Sequence, residues 1–204
     1  ANCLAGCEAL ARQPKEVRCI IIISYSSADT LHAFMMMAAD GWYTFTGREG
    51  EVIPPGVTRV RIHESLTVIP ARALRGNRHI EEVEFHDNVK TVEEEAFRNC
   101  PSLRRVIMRG VEVVERRAFS NCEALAYVEC DKLETIERSA FYGCESLRSI
   151  TLPSVKVVKH LAFSNTALKD VTFGSKLERI VGAAFMDCPN LEQITIPLKD
   201  GIID

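Results

Sequence analysis

What this chain lacks narrows its function before anything it contains. It has no excess of basic charge: 25 Lys and Arg stand against 28 Asp and Glu, a net charge of -3. Nothing therefore draws it electrostatically to DNA, RNA or an anionic membrane surface. It has no run of the roughly 20 apolar residues that a membrane helix needs, so membrane insertion is not expected. Cys19 to Ile23 is shorter even than a signal-peptide core of about 7–15 residues. No Asn-X-Ser/Thr glycan acceptor is present. A Gly-rich phosphate loop, a nucleophile elbow, a paired-His motif and a kinase-like set are all missing. The five histidines, His32, His63, His79, His86 and His160, share no ligand spacing and fall at positions expected to be exposed or in turns. No catalytic activity, cofactor or metal is expected from this inventory.

What is present is a beat of 22 residues. An Ala-Phe step recurs at Ala96-Phe97, Ala118-Phe119, Ala140-Phe141, Ala162-Phe163 and Ala184-Phe185, and Ala73-Leu74 precedes the first by 23. A period of this size is the signature of stacked repeats. An apolar fraction of 47% over 204 residues is ample for the core of one such domain.

The unit repeats position by position. Leu103, Val106, Met108, Val111, Val114, Ala118, Phe119 and Cys122 are followed at the same offsets by Leu125, Val128, Cys130, Leu133, Ile136, Ala140, Phe141 and Cys144. Leu147 to Thr166 repeats the set, and the units upstream and downstream fit with one-residue shifts. Val-x-Phe and Ile-x-Leu have period two and favour β-branched residues, which predicts a short strand with alternate residues inward. A second apolar pair, such as Val111 and Val114, turns the chain back to the core. The Ala-Phe step then predicts a tight helical turn, with alanine small enough for the bend and Phe filling the centre. The expected fold is mainly β: a right-handed solenoid of ~22-residue coils, with equivalent strands in a parallel ladder about 4.7–4.9 Å apart.

These residues carry a resemblance. Leu147-Arg-Ser-Ile-Thr-Leu-Pro153, Val155-Lys-Val-Val158 and Ala140-Phe141-Tyr-Gly-Cys144 match the unit L-x-x-I-x-[IL]-P…V-x-x-I-G-x-x-A-F-x-x-C. Val57 to Pro197 thus resembles the BspA-like, or Treponema-pallidum-type, leucine-rich repeat family. The family's Gly after the second strand is replaced here by Glu93, Glu115, Glu137, Lys159 and Val181. The resemblance implies an interaction or adhesion role at a cell surface.

The array divides the chain. Residues 1–41 do not repeat, and Leu31 to Ala39 predicts a short helix, the alternative being a disordered leader. Residues 42–56, with Trp42 to Thr46 as a strand and a turn at Gly47 to Gly50, are expected to cap the first coil. Residues 57–197 hold six units and a partial seventh, and 198–204 form a tail. The incomplete seventh unit and the start at Ala1 lead us to expect a piece of a longer chain or a covered end.

Two columns of outward strand residues are the candidate site. One is Arg61, Glu84, Ile107, Glu129, Thr151, Thr172 and Thr195; the other is Arg59, Glu82, Arg105, Tyr127, Ser149, Asp170 and Gln193. Partner contact is assigned to Arg61, Glu84, Arg105, Ile107, Tyr127, Glu129, Thr151 and Thr172, with Ile107 and Tyr127 as anchors. The competing reading is a merely solvated sheet face. Cys100, Cys122, Cys144 and Cys188 share one repeat position, read as buried structural thiols in preference to a disulfide or metal column. Surface carboxylates such as Glu93-Glu94-Glu95 are read as solvated.

Three functions fit: a non-enzymatic scaffold presenting its sheet to a protein or glycan partner, the recognition arm of a longer enzyme, or a spacer. Compartment stays open. Unpaired thiols and absent glycan acceptors favour a reducing interior, and the family resemblance favours the surface.

Overall fold

A computed structural model gives the fold and describes residues 40–197. The expected helix over Leu31 to Ala39 and the tail 198–204 lie outside the described residues. Each coil between the first and the last contributes one longer and one two-residue strand, and the two end coils contribute a longer strand alone. The longer strands are β1 (Tyr43–Phe45), β2 (Arg59–Ile62), β4 (Glu82–Glu84), β6 (Arg105–Ile107), β8 (Tyr127–Glu129), β10 (Ser149–Leu152), β12 (Asp170–Phe173) and β14 (Gln193–Thr195). The shorter are β3 (Val68–Ile69), β5 (Thr91–Val92), β7 (Val113–Val114), β9 (Thr135–Ile136), β11 (Val157–Val158) and β13 (Arg179–Ile180).

All recorded pairings are parallel and join equivalent positions of adjacent coils. The long strands form a five-stranded sheet β1-β2-β4-β6-β8 and a three-stranded sheet β10-β12-β14. The short strands form one unbroken six-stranded sheet from β3 to β13. This is the β-solenoid that the repeat predicts.

The Ala-Phe step departs from expectation: it is not helical, and no helix occurs among the described residues. The chain makes two overlapping turns, closed in the second coil by Ala96 N–H to Glu93 carbonyl (3.2 Å) and Arg98 N–H to Glu95 carbonyl (3.1 Å). The remaining amides reach the next coil: Phe97 N–H to Ala118 (2.8 Å), Phe119 to Ala140 (2.9 Å), Phe141 to Ala162 (2.8 Å) and Phe163 to Ala184 (2.8 Å). The turns are thus a third ladder. A helix would have spent those amides within its own coil, leaving coil-to-coil edges unpaired.

These turns use left-handed backbone at two positions per coil. The residue before Ala has φ of 56–61° at Arg72, Glu95, Arg117, Ser139, Leu161 and Ala183. The second residue after Phe or Leu74 is Gly76, Asn99, Asn121, Gly143, Asn165 or Asp187, all with positive φ. Gly, Asn and Asp tolerate this conformation best, which explains that column's composition. Glu93, Glu115, Glu137, Lys159 and Val181 show no positive φ, so replacing the family's glycine costs no backbone strain. Four of the replacements bond across coils: Glu93 accepts from the Ala71 amide (2.8 Å), Glu115 from the Glu94 amide (3.1 Å), and Glu137 from the Lys159 ammonium (2.6 Å).

The core runs down the axis. Phe97, Phe119, Phe141 and Phe163 are fully buried. Together with Phe185 they stack near-parallel, with centroids 5.1, 5.3, 5.3 and 5.4 Å apart. That spacing is the coil rise plus a lateral offset, a favoured arrangement for aromatic pairs. Cys100, Cys122, Cys130, Cys144 and Cys188 are free thiols. Cys122, Cys144 and Cys188 point to the carbonyls of Phe97, Phe119 and Phe163 in the preceding coil (3.1, 3.3 and 3.1 Å). Thr166 uses its hydroxyl on Phe163 instead (2.9 Å). The column therefore selects small side chains that donate a hydrogen bond.

At the N-terminal end β1 pairs with β2, and the turn after it is organised by Glu51. Its carboxylate accepts from the Tyr43 hydroxyl (2.9 Å), the Thr46 hydroxyl (2.8 Å), and the amides of Thr46 (3.0 Å) and Arg48 (3.2 Å).

Candidate functional site

Register turns the predicted face residues into two straight columns. One runs Arg59, Glu82, Arg105, Tyr127 and, after a break, Ser149, Asp170, Gln193; the other runs Thr44, Arg61, Glu84, Ile107, Glu129 and then Thr151, Thr172, Thr195. All eight candidate contact residues lie on this face. Trp42 and Thr44, which the sequence reading did not include, extend the columns by one coil.

The charged half neutralises itself. Glu82 takes Arg59 on one side (3.5 Å) and Arg105 on the other (3.2 Å), while Arg61 meets Glu84 at 3.5 Å. The Arg59 and Arg61 guanidiniums cover the Trp42 ring at 4.5 and 5.0 Å, and Arg105 covers Tyr127 at 4.4 Å. The Tyr127 hydroxyl donates to Glu129 (3.1 Å), which also binds Arg109. The bond from Arg109 outweighs partial burial and, aided by Tyr127 and Arg105, holds the Glu129 carboxyl below the usual carboxylate range. Exposed pairs of this kind contribute only about 0–1 kcal/mol each. They fix side-chain positions more than they stabilise the fold.

Ile107 is half-buried, so it offers less contact than the sequence suggests, whereas Tyr127 is 44% exposed. Beyond Tyr127 the face changes character: Ser149, Thr151, Asp170, Thr172, Gln193 and Thr195 are exposed. No ion pair is recorded among these six.

The change coincides with the break between β8 and β10. A cleft of roughly 240 Å³ opens there, lined by residues 126–131 together with Ser149, Ile150, Thr151 and Pro153. The sequence explains part of it. His63 and Gly174 donate their amides back to Phe45 (2.9 Å) and Leu152 (3.1 Å). Pro153 holds the same position and has no N–H for Cys130. Cys130 is also smaller than Met108 or Leu152 at the equivalent inward position, and its sulfur lies 3.8 Å from the Thr151 carbonyl. Val128 is consequently half-buried, where Val60, Val83, Val106, Ile150 and Val171 are buried. Pro153 was the available signal, legible only against its column. Burial pushes the Cys130 thiol up to about 12, so it faces the cleft as a neutral group.

A second depression of roughly 330 Å³ lies between Thr44, Arg61, Glu84 and His86. His86 Nε2 already contacts the His63 carbonyl (3.1 Å). Among the described residues no group of three or more His, Cys, Asp or Glu could hold a metal, and no helix is long and apolar enough to cross a membrane.

The BspA-type leucine-rich repeat region matches residues 56–126 and 112–203, in six copies. The chain belongs to the BspA-type leucine-rich repeat family. Among solved members of this fold, a leucine-rich repeat protein from Bacteroides ovatus is 29% identical, with a TM-score of 0.63 over 68% of this chain and 37% of its own. A leucine-rich cell surface protein from Faecalibacterium prausnitzii is 26% identical, with a TM-score of 0.61 over 78% of this chain and 51% of its own. The leucine-rich repeat protein of Treponema pallidum, at 24% identity and a TM-score of 0.66 over 78% of this chain and 77% of its own, shares the fold. This BspA-type chain therefore spans about a third to a half of the first two relatives. No curated protein matches it. Leucine-rich repeat proteins in general are protein-interaction scaffolds.

Proposed function

We propose that this chain is a non-enzymatic interaction module that receives a protein partner on its long-strand face. The contact centres on Tyr127 and the β8–β10 cleft. The observation that carries this reading is the placement of an exposed aromatic ring at the mouth of the one break in the long-strand face. Aromatic side chains beside a pocket are the usual energetic centre of an interface. Arg105 and Glu129 hold the Tyr127 ring from two sides, so little freedom is lost when it is buried. Ile107, Thr151 and Thr172 flank the centre, and Arg61 and Glu84 form its outer rim. The cell-surface description of the Faecalibacterium prausnitzii relative supports seeking the partner on extracellular material.

The test is site-specific photo-crosslinking. A benzophenone amino acid at position 127 should capture one protein, and unlabelled native chain should compete for it. Chain carrying Tyr127→Ala with Thr151→Lys should not compete. Equal competition by that variant refutes the proposed centre. Crosslinking only to polysaccharide identifies a glycan partner and overturns the protein reading.

A further inference from the structure

A different face of the molecule carries an arrangement that the fold does not require. In the second coil Glu95 is not solvated as the sequence suggests: it is 3% exposed and sits at a left-handed turn position. Its carboxylate is met by four guanidiniums from three successive coils: Arg98 at 2.5 Å, Arg75 at 2.8 Å, Arg72 at 3.3 Å and Arg117 at 3.7 Å. Burial works against the ionised form, but the bond and charge of Arg98, with Arg75 and Arg72, outweigh it and hold the carboxyl below the usual range. Glu95 is therefore ionised at neutral pH.

One carboxylate is satisfied by one bidentate arginine. Here four positive charges converge on a single negative one. The Arg98 Nε is buried without a hydrogen-bond partner. The side chains of Arg72, Arg75 and Arg117 remain 63, 41 and 42% exposed. Each guanidinium has five N–H donors, so a contact to Glu95 does not use them all. Structural pairing of Glu95 accounts for one arginine and leaves a concentrated, preorganised set of guanidiniums on the turn face.

We propose that this turn-face cluster is a second docking surface, which takes a short acidic peptide segment of a partner through Arg72, Arg75 and Arg117. Glu95 acts as the inner counter-charge that gathers the guanidiniums, and an incoming Asp or Glu carboxylate takes the outward donors. Charge complementarity names the occupant, and the surroundings limit its length. Glu93, Glu94 and Glu115 border the cluster and are already engaged with the Ala71 amide, Arg116 and the Glu94 amide. They oppose a long polyanion while leaving room for a few carboxylates. The proposal is independent of the long-strand face.

The test uses labelled hexaglutamate and hexaglutamine peptides with the full chain at low salt. Hexaglutamate should bind and hexaglutamine should not, and added salt should weaken the binding. Arg72→Gln with Arg75→Gln and Arg117→Gln leaves Arg98 on Glu95 and should weaken hexaglutamate binding by about tenfold or more. The Lys triple variant, which keeps charge but loses the planar fork, should fall in between. Should the Gln triple unfold, Arg72→Gln alone must still weaken binding by about threefold. Equal binding of both peptides, unchanged affinity in a folded Gln variant, or tighter binding of a heparin hexasaccharide than of hexaglutamate would overturn the proposal. Photo-crosslinking from position 127 should be unaffected by these changes, so failure of either surface is read separately.

Discussion

Phe141→Ala isolates the stacked core. Phe141 is fully buried, with Phe119 and Phe163 each 5.3 Å away on its two sides. Removing a buried Phe ordinarily costs about 3–5 kcal/mol, depending on how far the site can collapse. Here collapse is resisted from both sides. The turn backbones that carry the two neighbouring rings are fixed by Phe119 N–H to Ala140 (2.9 Å) and Phe141 N–H to Ala162 (2.8 Å). Two aromatic contacts, worth about 0.5–1.5 kcal/mol each, are lost as well. The expectation is therefore the upper half of the range, about 4–5 kcal/mol. Urea unfolding followed by far-ultraviolet circular dichroism reads it as a fall in midpoint. Because stacked coils can open locally, hydrogen exchange should also show lost protection concentrated in the coils next to Phe141. Phe185→Ala is the internal control: Phe185 is half-buried and should cost clearly less. A loss below about 1 kcal/mol for Phe141→Ala, or an equal loss at Phe185, refutes the central stack.

Four further outcomes follow from the same geometry. Gly110→Ala should destabilise by about 1–3 kcal/mol in the same melt. Its Cβ would lie 2.1 Å from the Asp87 carbonyl oxygen, backbone that cannot step aside. Ala183→Gly should be neutral or stabilising by up to about 1 kcal/mol, because it relieves left-handed backbone at φ 61°; a loss above that would contradict the turn geometry. Cys130 and Cys144, with thiols pushed up to about 12, should resist iodoacetamide at pH 8, where only about one thiol in ten thousand is ionised. Among the cysteines of residues 40–197, half-buried Cys188 should label first by mass spectrometry. Glu95→Gln should destabilise at neutral pH. The folded carboxyl titrates below its unfolded value, so the wild-type advantage is present above about pH 4.3 and lost as pH falls through the folded pKa. A difference that grows on acidification would contradict the ionised, arginine-bound Glu95.

The strand positions were legible because their signal is local. Val-x-Phe has period two wherever it occurs, and repetition placed every copy in register. The Phe column was legible for the same reason. The turn reads as helical in the sequence because a small Ala suits any tight bend, while the competing partners of the Phe amides, carbonyls of the next coil, are 21 residues away. The column Gly76, Asn99, Asn121, Gly143, Asn165 and Asp187 held a readable sign of left-handed backbone. The other left-handed column, including Glu95 and Leu161, held none, since those residue types disfavour that conformation. At the candidate site the outward columns were legible from alternation alone. Their pairing was not: whether Arg105 meets Glu82 or solvent depends on register and reach. The cleft required comparing Pro153 and Cys130 with their equivalents in other coils. The arginines around Glu95 come from three coils, and no single unit displays them together.

A distance across the long-strand face tests the account most directly. Arg61 and Thr172 occupy one column, separated by five coil steps. At about 4.8 Å per step the backbone positions should lie roughly 24 Å apart. Spin labels at the two sites, read by pulsed electron resonance, should give one narrow distribution near that value. A broad distribution, or a maximum well beyond about 35 Å, would mean that successive units do not stack and that no continuous face exists to receive a partner.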